Sequence, residues 1–219
     1  MTIGMILLLV AALLILLGAG QRVLDRLRLN DRLALLFIAL IVGLGFVPDI
    51  RVTETFAFNL GGAVIPLGLC IYLFIRADSA WERWRSILAS VVTGAAVFAI
   101  GRFSPDEPEA MRIDPMILYG VAAGLIAYIF GRSRRCAFIA GAVGMMLANT
   151  ANAVYVWSRG VAQDFVLGGA GAADGIVIAA LLGVLLAELL GELIERMKRG
   201  NQRPTRQYRD GEFIKEDKA

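Results

Sequence analysis

Apolar stretches recur seven times along this chain, most of them fifteen or more residues without a charge, and this pattern decides what the chain can fold into. A bilayer-crossing helix needs about 20 mostly apolar residues. Transmembrane strands would instead alternate over about 10 residues, and no such alternation is present. With 58% hydrophobic residues and a mean hydropathy of +0.69, the 219 residues are too apolar for a soluble domain. The expected class is all-α, a polytopic transmembrane helix bundle of seven spans.

The expected spans are 3–18, 33–47, 56–75, 86–103, 115–131, 136–157 and 165–190. The first lacks the positive n-region of a secretory signal, and its basic residues follow it, so it reads as a retained helix. Seven spans put alternate connectors on opposite sides. If the N-terminus is outside, only Arg51, Arg102, Arg112 and Arg159 lie outside, and the rest of the 22 basic residues lie inside. Positive charge concentrates on cytoplasmic loops, so the N-terminus is expected outside and the C-terminus in the cytoplasm. Trp81 and Trp84, in the connector 76–85, fit headgroup level.

The last helix is expected to continue beyond the lipid. Leu186, Leu189, Leu190, Leu193, Ile194 and Met197 form an apolar stripe, and Glu192–Arg196 and Glu195–Arg199 stand four apart with the acid first. This stem lies against the inner connectors or joins a second copy in a homo-oligomer. Residues 1–199 therefore form the transmembrane domain with its helical extension, and 200–219 a flexible cytoplasmic tail. The tail is basic near the membrane, which favours anionic headgroups over nucleic acid.

Histidine is absent, which removes histidine-based triads, histidine zinc motifs and imidazole relays. No G-x-x-x-x-G-K-[ST] and no G-x-S-x-G occurs. Cys70 and Cys136 read as small buried residues. No cofactor and no metal site is expected.

Function is sought where polar residues enter the apolar stretches. Asp174 is the carboxylate expected at membrane depth, where a charge costs at least ~2.5–3.5 kcal/mol and usually marks a site. Counted at about 1.5 Å per residue from the outer ends, Asn59 is roughly 5 Å deep, Asn152 about 8 Å, Asn149 about 12 Å and Asp174 about 14 Å. Gly61, Gly62, Gly171 and Gly175 flank them, and Pro66 interrupts the third span. Such interruptions expose carbonyls and helix ends that coordinate ions or solutes; equally, amides and small residues hold helices together. The expectation is an outward-opening polar site for a small cation, proton or polar solute, with Asp174 titrating and the asparagines as neutral ligands.

The segments Asn59-Leu-Gly-Gly-Ala-Val-Ile-Pro66 and Gly168-Gly-Ala-Gly-Ala-Ala-Asp-Gly-Ile176 resemble paired motifs of the prokaryotic membrane proteins grouped as domain-of-unknown-function family 1614. The resemblance covers most of the membrane region and excludes the tail. It implies a multi-pass protein of a bacterial or archaeal cell membrane, brings no activity, and points to Asn59 and Asp174. More locally, Gly-Ala-Ala-Asp174 is similar to the Gly-x-Gly-Asp of presenilin-type intramembrane aspartyl proteases, departing at Ala173. An aspartyl dyad needs two carboxylates sharing a proton, so this alternative requires Asp114 to dip inward or two copies of Asp174 to meet. A third alternative is a non-catalytic scaffold recruiting a partner through its stem.

Overall fold

The computed structural model describes residues 3–17, 24, 27, 29–103, 115–131, 133–200, 208–209 and 212–213. Among them are seven α-helices: α1 Ile3–Leu16, α2 Asp31–Leu44, α3 Ile65–Ile75, α4 Ala80–Phe103, α5 Pro115–Gly131, α6 Arg134–Ser158 and α7 Gly175–Gly200. A π-helical turn, Leu60–Val64, leads directly into α3. The all-α class is borne out. Residues up to Glu188 form one compact unit. The second, Leu189–Ala219, holds the end of α7 and a short antiparallel pair in which Tyr208 faces Phe213. The Glu192–Arg196 and Glu195–Arg199 pairs, the acidic stretch 104–109, Asp114 and most of the tail fall outside the described side chains.

α6 is the central helix, with Ala137, Ala140 and Ala142 fully buried. Its neighbours approach through small residues, the means by which apolar helices gain close packing. Gly94 of α4 lies against the Gly144 carbonyl, a Cβ there falling 3.0 Å from that oxygen. Gly141 lies against α7, its Cβ position 2.6 Å from the Ala179 carbonyl. Gly120 and Gly124, spaced G-x-x-x-G on α5, receive Ile178 and Leu182 of α7.

Both ends of the α4–α6 pair are polar. At one, the buried Arg135 bonds Asp78 (2.6 Å), Glu82 (3.5 Å) and the Arg76 carbonyl (2.8 Å). Nearby, Arg134 pairs with Glu188 at 2.7 Å, and Ser133 caps α6 by accepting from the Cys136 amide. At the other end, Arg102 and Arg159 both bond Tyr155.

Two expected spans begin later than their hydropathy suggests. Phe56–Phe58 and Phe165–Leu167 are strands β2 and β3, after the two-residue β1 Ile50–Arg51. β1 pairs antiparallel with β2, and β2 pairs parallel with β3, Phe56 opposite Phe165 and Phe58 opposite Leu167. Aromatic and branched residues favour extended backbone, and Phe56 and Phe165 stack with ring centroids 5.8 Å apart. Helical length is lost accordingly. Leu60–Ile75 rises about 24 Å, against a hydrocarbon layer of about 30 Å. The connector 76–85 is also corrected, because Trp81 and Trp84 sit exposed in the first turns of α4. Among the described residues, two helices, Ala80–Phe103 and Arg134–Ser158, are long and apolar enough to cross a membrane; the other apolar helices are shorter.

Candidate functional site

The parallel pairing of β2 with β3 brings the two glycine-rich segments to the same end of the sheet. Each strand then feeds a helix through an acid or amide with extended backbone, the geometry of an N-cap. Asn59 (φ −92°, ψ 137°) precedes the π turn, and its Oδ1 accepts from the Gly62 amide at 3.0 Å. Its Nδ2 donates to Asp49 Oδ1 at 2.9 Å and to the Val47 carbonyl at 3.3 Å. Its own amide donates to Leu167 O at 2.9 Å, extending the β2–β3 ladder. Asn59 is 2% exposed, with its hydrogen-bonding groups engaged.

Asp174 stands at the corresponding point before α7 (φ −63°, ψ 146°) and is 5% exposed. Its Oδ1 accepts from the Ile176 amide at 2.9 Å and its Oδ2 from the Ala170 amide at 3.4 Å. Its carbonyl accepts the first helical bond, from Ile178, at 3.1 Å. Asp174 thus closes both the turn Gly171–Ala173 and the start of α7. Among the described residues no lysine or arginine pairs with it.

Backbone contact joins the two segments. A Cβ on Gly62 would collide with the Gly168 carbonyl, and one on Gly61 with Gly45 at the end of α2. Gly171 also faces Gly45, where a Cβ on it would lie 3.1 Å from the Gly45 carbonyl oxygen. Gly168 has φ +73°, which only glycine adopts without strain. Gly175 is the first residue of α7. The glycines around Asn59 and Asp174 are therefore where four segments cross: the starts of α3 and α7, the end of α2, and Gly4 of α1 against Ala172.

The asparagines of α6 are placed differently. Asn149 is half-buried and Asn152 exposed, and among the described residues neither hydrogen-bonds Asn59 or Asp174. The carboxylate that does meet the site is Asp49, five residues past the end of α2. Asp174 has backbone amides as its partners rather than a second carboxylate; Asp114, the proposed dyad partner, lies outside the described residues. A cavity of about 160 Å³ lies elsewhere, lined by apolar residues such as Leu8, Ile41, Leu69, Phe138 and Val184. Among the described residues no three histidine, cysteine, aspartate or glutamate side chains gather to hold a metal.

The match that decides the family covers residues 21–186, to the family model described as Protein of unknown function (DUF1614). The chain belongs to the DUF1614 family. Both paired motifs of this DUF1614 protein fall inside the matched region, and the tail falls outside it. No curated protein and no solved structure matches the chain.

Proposed function

We propose that this DUF1614 protein is a multi-pass protein of a prokaryotic cell membrane, with seven helices entering the bilayer, its N-terminus outside and its C-terminus in the cytoplasm. The apolar surface supports this reading. Only 33% of the apolar stretch of α4 is buried, and Ile87, Leu88 and Val91 are exposed. A soluble protein rarely leaves so apolar a helix uncovered. The basic residues support the orientation, since the Arg76–Arg85 and Arg134–Arg135 clusters share one end of the α4–α6 pair. β2 and β3 then lie at the outer end.

The site we propose there is Asp174, binding a proton or small cation beside the Asn59 cap, with Gly61, Gly62, Gly171 and Gly175 shaping the backbone. The observation that carries it is a buried carboxylate with two amide donors and no cationic side chain among the described residues. Capping explains why an acid or amide stands at this position, but not why it is an acid. Asparagine caps about as well as aspartate and is far cheaper to bury. The dipole of α7 offsets about 0.3–2 kcal/mol of that cost, less than the several kcal/mol that burying an ion requires. A bound proton or cation supplies the remainder. Two of the carboxylate's acceptor directions are left to receive it.

Asp174→Asn separates the charge from the cap. With protein in liposomes, proton and monovalent-cation flux is read from a trapped indicator. Flux in the wild type, lost in D174N at an unchanged melting temperature, is the expected result. Equal flux in both, or none in either, leaves Asp174 as a helix cap alone.

A further inference from the structure

At the end of the α4–α6 pair opposite Arg135, two arginines share one acceptor. Arg102 Nη2 donates to Tyr155 Oη at 2.7 Å, and Arg159 Nη2 donates to the same oxygen at 2.7 Å. The two nitrogens are therefore no farther apart than twice that distance. Their guanidinium carbons lie 4.0 and 5.1 Å from the Tyr155 ring centroid, and Phe98 packs edge-on against the ring. Both arginines are exposed, and among the described residues neither pairs with a carboxylate.

Two full positive charges at this spacing repel each other. A phenol oxygen and a ring face return only partial negative charge. Each guanidinium has five N–H donors and spends one on Tyr155, so forked donors remain for an oxyanion, the geometry that suits phosphate. The surroundings fix the depth. Trp157 donates to the Gln163 carbonyl at 2.9 Å and packs edge-on to Phe165, which stacks on Phe56. Clustered aromatics of this kind sit at headgroup level.

We propose that Arg102 and Arg159, aligned on Tyr155, form a binding site for a phosphate oxyanion, supplied by a phospholipid headgroup of the outer leaflet. This rests on the membrane orientation proposed above but not on Asp174. The chain's own competing anion is the acidic stretch Asp106, Glu107 and Glu109. If that stretch takes the site, the wild type holds no phosphate.

The test is native mass spectrometry of the full chain in detergent, offered phosphatidylglycerol or diacylglycerol with the same acyl chains. The wild type is expected to retain phosphatidylglycerol over diacylglycerol. Arg102→Gln and Arg159→Gln should each weaken retention about fivefold, at an unchanged melting temperature because both side chains are exposed. R102K/R159K, which keeps charge and loses the fork, should fall between. Equal retention of the two lipids by the wild type, or no loss in R102Q/R159Q, overturns the site. Displacement of the lipid by equimolar inorganic phosphate overturns the lipid assignment and leaves a soluble oxyanion. Membrane insertion is read separately, from whether the protein stays in the membrane pellet after alkaline extraction, so failure of the orientation is distinguishable from failure of the site.

Discussion

Gly62 and Gly168 meet backbone to backbone: a Cβ on Gly62 would strike the Gly168 carbonyl, and one on Gly168 would lie 2.5 Å from the Ala63 amide nitrogen. Neither obstacle is a side chain that can swing away. Overfilling a packed junction costs about 1–3 kcal/mol and occasionally more, and Gly168 adds the strain of its positive φ. Gly62→Ala and Gly168→Ala should each lower the melting temperature in detergent sharply. Gly68, one helix turn beyond Val64, has nothing within 4 Å of its Cβ position, so Gly68→Ala should stabilise α3 by about 0.5–1 kcal/mol. If all three substitutions behaved alike, the proposed crossing point would be wrong.

Asn59 ties three segments together. Alanine there removes the cap on Gly62 and leaves the Val47 carbonyl without this donor, while Asp49, being exposed, returns to water. The expected loss is about 1–3 kcal/mol. Asn59→Ser keeps an oxygen for the Gly62 amide and should recover part of it. Chemical unfolding of the three proteins reads the order directly. A serine variant no better than alanine would mean that the Nδ2 bonds, not the cap, hold the turn.

Arg135 is buried where α3 hands over to α4, and one guanidinium reaches Asp78, Glu82 and the Arg76 carbonyl. Removing one partner of a fully buried ion pair costs about 3–5 kcal/mol. Here the figure is discounted, since the Asp78 side chain is 49% exposed and can return to water. Arg135→Met should cost about 1–3 kcal/mol. Arg135→Lys should restore little, because a point charge cannot serve three acceptors in the plane of a fork. Recovery of wild-type stability by lysine would show that charge alone matters.

The sequence carried the helices more clearly than the turns between them. The span expected over 136–157 lies within α6, Arg134–Ser158, which Ser133 caps at its start. α3 and α7 start late because hydropathy cannot tell Phe-Ala-Phe or Phe-Val-Leu in a strand from the same residues in a helix. Asp174 looked like an acid inside a span, yet Asp-Gly-Ile after a glycine-rich run is also a helix-start signal, and the N-cap follows from it. Asn59-Leu-Gly-Gly reads the same way. What no local pattern could give was partnership across the fold. Asp49 meeting Asn59 depends on how α2 ends beside the π turn, and Arg135 being buried depends on a corner built from α3, α4 and α6. Asn149 and Asn152 share a helix face, but spacing does not say which neighbour that face meets.

The orientation can be tested with two positions and the longer helices alone. α4 has 24 residues and rises about 36 Å, more than the hydrocarbon layer of about 30 Å. Ala80 stands at its first residue. Arg102, near its last turn, reaches Tyr155 near the end of α6, and Asp164 follows six residues after Ser158. Ala80 and Asp164, both exposed, therefore belong to opposite ends of the pair. Cys70 and Cys136 are buried, so replacing both with alanine gives a silent background. In intact cells, a membrane-impermeant maleimide should label Asp164→Cys, and should label Ala80→Cys only after permeabilisation. The reverse pattern would invert the orientation and move the arginine site to the cytoplasmic face. Labelling of both from outside would remove the membrane crossing itself.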